Sequence, residues 1–507
     1  MISEAPTGHR RPAAAGVIAV AAAFGAAELL AGLFSTGVSV VVAVGNLIID
    51  LAPEQVVRFG IRVFGFYDKP VLIAGIVITG LIIGAWLGRL AVRSFAVAFF
   101  GFVLAGAVGT IAAVVDPLTP GAPGIVVVWG AVALGLVALR FLIGHVEVAE
   151  QDVDKRRFLV AFAGVAAFAA LTATTGRILA GRVRNFVAGR EDVVLPGAVD
   201  SQPGPAPGDD LIVDGISELI TPNDDFYRID TAISVPRVDL DTWTLKISGM
   251  VDRPIELTFD DLLDLPMVER FVTLSCVSNR VGGDLVGHAR WQGIPLRDLL
   301  DRVGVQEGAT QVVGRSVDDF TVGFPTEAVF DGREAMVAIA MNGEPLPFDH
   351  GFPARLVVAG LYGYVSATKW LSEIELTTWD AFDAFWIPRG WSKEAPVKTQ
   401  SRIDVPRQGE RLDPGTVPVA GVAWAPNRGI AKVEVQIDDG PWVEAELSVE
   451  LSQDSWRQWA LDWEATSGTH DIRVRATDAG GETQTAEPAA PAPNGATGHH
   501  TRTVVVG

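Results

Sequence analysis

The chain has 507 residues, 49% of them hydrophobic and 20% charged, with a formal net charge of −20 and a mean hydropathy of +0.32. Charge is unevenly placed: residues 1–190 carry 15 Lys and Arg against 10 Asp and Glu, and residues 191–507 carry 25 against 50. So acidic a second part excludes a nucleic-acid binder, which needs a basic face for phosphates, and 13 Trp with 24 Phe exclude a disordered chain. The single cysteine, Cys276, excludes a disulfide framework, a Cys-type zinc site and a cysteine-ligated iron–sulfur cluster within one chain.

Crossing a bilayer takes about 20 apolar residues. Runs of that length occupy 13–34, 70–92, 95–115, 124–144 and 158–180, whereas 37–51 is apolar but short and reads as re-entrant or interfacial. Arg10 and Arg11, Arg89 and Arg93, and Arg140 with Lys155, Arg156 and Arg157 fall on one side of a five-span topology, which puts the N-terminus inside and everything after about residue 185 outside. Arg58, Arg62 and Lys69 run against that order. Asp154-Lys155-Arg156-Arg157-Phe158-Leu159-Val160 resembles a twin-arginine export signal, and it also reads as an ordinary positive flank. Histidine pairs for an intramembrane heme are missing, since only His145 lies near a span; Glu28 is the one acid deep inside one.

Residues 186–212 hold a Pro-, Gly- and acid-rich linker. Beyond it short helices (Phe259–Leu263, Leu296–Leu300) mix with strands (Trp243–Ser248, Arg355–Val358, Glu373–Leu376), the pattern of an α+β domain over 213–398. From 399 to 507 only alternating strands remain (Val417–Trp424, Ile430–Ile437, His470–Ala476, Thr501–Val506), which predicts an immunoglobulin-like β-sandwich. The predicted fold class is thus multidomain: an N-terminal five-helix transmembrane bundle over 1–185, the linker, the α+β domain and the sandwich.

Cys276 follows the strand-like run Phe271–Ser275 and leads into Ser278-Asn279-Arg280 and two glycines. By position alone it reads as a buried small hydrophobe; Arg280 nearby would favour the thiolate, the form that binds metal. Three ordered motifs give the thiol a sharper meaning. They are Thr221-Pro222-Asn223-Asp224-Asp225-Phe226-Tyr227-Arg228, Cys276-Val277-Ser278-Asn279-Arg280 with Trp291-Gln292-Gly293, and Met341-Asn342-Gly343 through His350-Gly351-Phe352-Pro353-Ala354-Arg355 to Lys369-Trp370-Leu371. Together they resemble the sulfite oxidase family of molybdenum–pterin oxidoreductases over about residues 215–505, with the C-terminal strands similar to that family's dimerisation domain.

The resemblance implies a molybdenum–molybdopterin cofactor whose metal Cys276 ligates. It implies cofactor-binding roles for Asn223, Phe226, Tyr227, Asn279, Ser316, His350, Arg355, Ser366, Thr368 and Lys369, and places Arg228 and Arg280 toward the metal as catalytic cations. Alternatively either arginine pairs with Asp224, Asp225 or Asp230, Ser316 belongs to a polar loop, and His350 is a turn histidine. The sulfite-oxidising members carry a histidine where this chain has Asp230, and a tyrosine where 379–386 has none, so sulfite and S- or N-oxides both stand as substrates. No heme is expected in the chain, so electrons are expected to pass to a separate cytochrome or quinone-linked partner. The expected setting is a multi-pass cell-membrane protein with its catalytic domains outside and a homodimer through the C-terminal domain. The competing reading is a cofactor-free surface-binding protein on the same scaffold.

Overall fold

The computed structural model describes residues 10–34, 39–64, 67–119, 121–149, 155–187 and 189–507. Residues 1–9 of the expected anchor and Asp154 of the arginine-pair motif lie outside them. The chain forms two compact units: residues 1–189 with Thr231–Arg237, and Arg190–Asp230 with Val238–Gly507.

The first unit is helical: α1 Arg10–Leu33, α2 Val40–Leu51, α3 Glu54–Phe64, α4 Asp68–Ala91, α5 Phe95–Val115, α6 Gly121–Ala149 and α7 Lys155–Val187. Each expected span falls on a helix; α1, α4, α5, α6 and α7 are long and apolar enough to cross a membrane. The short 37–51 stretch contains α2, which has 12 residues. Its N-cap Ser39 accepts from the Val41 N–H at 3.2 Å, and Pro53 separates it from α3. Helix α1 approaches α4 through bare backbone. A Cβ on Gly16 would collide with the Gly84 carbonyl, and one on Gly88 would lie 2.8 Å from the Gly16 nitrogen. On another face, a Cβ on Gly176 of α7 would meet the Glu28 backbone. Small residues at such contacts let helix backbones approach where lipid removes any hydrophobic drive between helices. Large apolar side chains, among them Ile82, Trp86, Phe100, Leu104, Val137 and Leu171, point outward. Polar groups inside pair with one another: Asn46 Nδ2 donates to Asp116 Oδ1 at 3.0 Å, and Ser39 donates to Glu28. Within this unit Lys69 Nζ donates to the Ala232 carbonyl at 2.7 Å.

The second unit holds four sheets. In the first, the strand order is Asp200–Ser201, Val268–Ser275, Val286–Pro295, Ala335–Met341, Arg355–Val358, with Glu344–Pro345 beside Ala335–Met341. Val268–Ser275 and Val286–Pro295 pair antiparallel down to Ser275 opposite Val286, so residues 276–285 form the loop that closes this hairpin. The second sheet runs Ile255–Thr258, Thr244–Gly249, Leu371–Thr377, Gln311–Ser316, Thr321–Pro325. Its short helix Phe259–Leu263 starts at a reciprocal capping box between Thr258 and Asp261. The helix Leu296–Val303 buries Leu296, Leu299, Leu300 and Val303, one stripe at helical spacing, and ends at Gly304, whose φ of 73° suits glycine.

The C-terminal region is β-rich. One sheet contains Gln400–Val405, Gly415–Trp424, Arg457–Ala465 and Glu446–Leu447; the other contains Arg411–Leu412, His500–Val506, Gly468–Asp478, Ile430–Ile437 and Trp442–Glu444. Their apolar residues share a core of Val419, Val433, Val435, Trp459, Ile472, Val474 and Val504. Trp424 and Trp456 instead join the core of the α/β part. Contact with that part is also polar: buried His288 reaches the Leu219 carbonyl through Nδ1 at 2.6 Å and Ser455 Oγ through Nε2 at 3.1 Å. Burial holds this histidine down to about 4, so it acts as a neutral bridge.

Candidate active site

Cys276 stands one residue past its strand, with 9% of its surface exposed. Its N–H donates to the Leu285 carbonyl at 2.9 Å, and its carbonyl accepts from Asn279 N–H at 3.0 Å. Asn279 Oδ1 accepts from Leu285 N–H at 3.1 Å, so the Asn279 side chain holds the loop that carries the thiol. The sequence suggested that Arg280 lowers the thiol pKa. The structure differs: burial pushes Cys276 up, opposed by hydrogen bonds from Ser278, while the Arg280 side chain lies on the exposed side of the loop and has no ion pair among the described residues.

The loop Asn223–Arg228 lies against the other two motifs. Phe226 is the hub: its ring is 5.3 Å from Tyr227, 5.7 Å from Trp291 and 5.5 Å from His350, centroid to centroid. It packs onto bare backbone, since a Cβ on Gly287 would stand 2.6 Å from its ring. Asn223 is engaged by the turn at 341–344: its Nδ2 donates to Glu344 Oε1 at 2.5 Å, and its Oδ1 accepts from Asn342 at 2.8 Å. Its carbonyl sits 2.9 Å from His350 Nε2. Burial, with help from the neighbouring Arg355 and Lys369 charges, holds His350 down to about 4, so at neutral pH it is an uncharged donor. Tyr227 is half-buried as a residue, and the burial around its hydroxyl raises that group's pKa; Cys276 adds to the rise and Arg355 opposes it.

Arg355 opens its strand and is 5% exposed. Its guanidinium lies 4.8 Å from the Trp291 ring centroid and donates to the His350 carbonyl at 3.1 Å. Among the described residues no carboxylate pairs with it. Burial pulls Arg355 down to about 10, the direction expected for a cation held away from water without a counter-ion. Gly351, at φ 108°, makes room: a Cβ there would be 2.9 Å from Lys369 Cβ and 3.2 Å from Arg355 Cβ.

The segment 363–368 borders the same place. A Cβ on Gly363 would lie 4.0 Å from Tyr227 Oη and 3.9 Å from the Ser275 carbonyl. Ser366 bonds the Leu361 and Tyr362 carbonyls at 3.3 and 3.1 Å; that hydroxyl already has acceptors. Thr368 Oγ1 is buried with no hydrogen-bond partner among the described residues. Ser316 ends its strand opposite Leu371, with its Oγ 3.4 Å from Asp318 N.

Lys369 and Arg228 are differently placed. Asp230 Oδ2 accepts from Lys369 Nζ at 2.8 Å and from Arg228 Nε at 2.8 Å. Arg228 Nη1 lies 3.6 Å from Asp349 Oδ1, and Lys369 Nζ also donates to the Asp349 carbonyl at 3.0 Å. Burial draws Lys369 down to about 8 against the pull of Asp230. Burial raises the nearby Asp318 carboxyl, against hydrogen bonds from Ser316 and Phe320, and Asp230 adds to the rise. The expected set therefore falls into one region around Phe226 and Arg355, with the Arg280 side chain exposed to solvent. Sequence reading offered Asp230 as a partner of Arg228 but did not find that Lys369 shares it, nor the part of Asp349. The only signal was an acid two residues after Arg228, and its second partner is 139 positions away.

Residues 232–386 match the family described as oxidoreductase molybdopterin binding domain. The mitochondrial sulfite oxidase of Homo sapiens is 30% identical over 302 residues, covering 50% of this chain and 55% of that protein. The sulfite oxidase of Arabidopsis thaliana is 29% identical, covering 53% of this chain and 83% of that protein. The chain thus spans little more than half the length of the human and Macaca fascicularis mitochondrial sulfite oxidases it matches. A crystal structure of the sulfane dehydrogenase SoxCD from Paracoccus pantotrophus aligns at a TM-score of 0.51 with 24% identity, over 57% of this chain and 82% of that one; it shares the fold. Residues 232–386 thus match a molybdopterin-binding oxidoreductase domain. The relatives similar to it over this part are sulfite oxidases.

Proposed function

We propose that the protein is a membrane-anchored molybdenum-cofactor enzyme that transfers an oxygen atom between a small substrate and the metal on the extracytoplasmic side. Its electrons would be exchanged with a separate cytochrome or quinone-linked partner. The observation that carries this reading is Arg355: a buried guanidinium without a carboxylate among the described residues, in the same cluster as the lone buried thiol. A buried cation left unpaired is destabilising by several kcal/mol (roughly 3–5), so the site calls for an anion from outside the chain. The terminal phosphate of a pterin supplies one, and the orphaned Thr368 Oγ1 supplies a further donor.

In this reading Cys276 ligates molybdenum, and Arg355, His350, Thr368 and Lys369 hold the phosphate. Phe226 and Tyr227 line the pterin, while Asn223 and Asn279 keep the two loops in place; Ser316 holds the loop that carries Asp318. Ser366 belongs to the same segment and acts through its backbone. The bound cofactor supplies two-electron oxygen-atom chemistry; the chain supplies orientation, positive charge and exclusion of water. Arg228 and Arg280 present N–H groups to a substrate oxygen. Five long apolar helices with outward-facing Ile, Leu, Phe and Trp support the anchor, and the basic flanks favour an outside position for the enzyme part. The arginine pair before α7 supports export in the folded state. The β-rich C-terminal region is proposed to be an immunoglobulin-like dimerisation domain. Substrates of two classes remain in play, sulfite and S- or N-oxides.

The test is metal analysis of the full-length protein made in a host that synthesises the cofactor, wild type beside Cys276→Ser. About one molybdenum per wild-type chain, with a sulfur-to-metal absorption band that the variant lacks, is the expected result. Folded wild type without molybdenum would return the protein to the class of cofactor-free binding scaffolds.

A further inference from the structure

Four cations are directed to the site by the sequence, and the structure treats them unequally. Arg355 has no acid partner and Arg280 has none, both among the described residues. Arg228 and Lys369 share one: the Asp230 side chain, 4% exposed, receives both through a single oxygen at 2.8 Å. Asp349 adds a second carboxylate 3.6 Å from the far arm of Arg228. Asp318, a third, is half-buried and close enough to be perturbed by Asp230. Negative charge is thus built into the side of the site where Arg228 leaves Tyr227.

We infer that Asp230 is a specificity-determining residue: by holding Arg228 on the carboxylate it shares with the phosphate-binding Lys369, it sets the substrate side of the site against dianionic oxyanions and leaves it to uncharged S-oxide or N-oxide substrates. This rests on the molybdopterin reading of the site. An incoming dianion must either displace a buried carboxylate from two cations or sit beside it, and like charges brought together in a low-dielectric place repel strongly. An uncharged oxide asks for less. Its oxygen accepts a hydrogen bond from an N–H of Arg228 while the ion pair stays intact, because the guanidinium carries five donors and Asp230 occupies one. Asp230 does not touch the substrate in this scheme; it is a positioning residue acting through Arg228 and Lys369.

The experiment uses the full-length, molybdenum-loaded protein in detergent and sulfate as the dianion probe, with the dissociation constant measured by titration calorimetry. Wild type is expected to bind sulfate weakly. Asp230→Asn keeps the shape and removes the charge, and it should bind sulfate at least about tenfold more tightly. Asp230→Glu should restore weak binding, which a merely structural role for the side chain would not require. Asp349→Asn, at a side chain 50% exposed, should show a smaller gain in the same direction, and it decides the matter alone if the Asp230 variant does not fold. Sulfate bound by wild type as tightly as by Asp230→Asn would overturn the inference, as would the lack of any gain in the folded variants. Wild type without molybdenum would instead overturn the reading of the site, which metal analysis of the same sample reports separately.

Discussion

Two cationic clusters share this site and follow opposite rules. Around Arg355 the chain buries positive charge over an indole ring and leaves it without a carboxylate. Around Asp230 it buries a carboxylate and gives it two cations. The first arrangement is costly for the folded protein alone and becomes favourable when an anion arrives; the second is balanced already. Ligand binding therefore has the most to gain at Arg355, and charge selectivity resides at Asp230.

The largest effect that would break this contrast concerns Arg355→Met. Bound molybdenum should fall more than about tenfold, while the metal-free protein should be as stable as wild type or more so, since replacing an uncompensated buried charge by an apolar side chain of similar volume is neutral or favourable. Metal analysis and urea unfolding of the metal-free form check both halves; a clear loss of stability would show that Arg355 already has its counter-charge.

Next comes the hinge between the clusters. Gly351→Ala places a methyl 2.9 Å from Lys369 Cβ at a φ of 108°, and it should cost about 1–3 kcal/mol in the same unfolding assay.

His350 gives a pH-dependent effect of similar size. Its folded pKa of about 4 lies below the ordinary 6.5, so the unfolded chain binds the extra proton between those values. Its contribution to stability is therefore full above pH 6.5 and is lost as pH falls toward 4. Relative to wild type, His350→Asn should lose about 2 kcal/mol less between pH 6.5 and 4.5, by urea midpoints at the two pH values.

The smallest expected change in stability belongs to Arg280→Gln. An exposed side chain with no ion pair among the described residues should alter stability by less than about 0.5 kcal/mol, while turnover falls if this guanidinium meets the substrate oxygen. A melting curve beside an activity assay separates the two.

The helical unit was readable because each long helix is a continuous apolar run, a signal that needs no tertiary information. The site motifs were readable because Asn223–Arg228, Cys276–Arg280 and His350–Arg355 are local strings. Other features depend on long-range contact. The strand Ala335–Met341 is buried at all seven positions, so it shows none of the alternation that marks a half-exposed strand. Asp230 looked like one more surface acid among Asp224 and Asp225 until Lys369, far along the chain, came to lie beside it. Arg280 was read as acting on the thiol because they are four residues apart; in the structure burial and Ser278 are what act on that thiol, and the Arg280 side chain is exposed.

The lone thiol has an analytical consequence. Because Cys276 is the only cysteine in the chain, every signal from a thiol-specific reagent reports on one atom at the proposed metal position. At 9% exposure that sulfur should react slowly in the native protein and at full rate after unfolding. Maleimide labelling under increasing denaturant then follows the opening of this one loop, with no cysteine having to be engineered in.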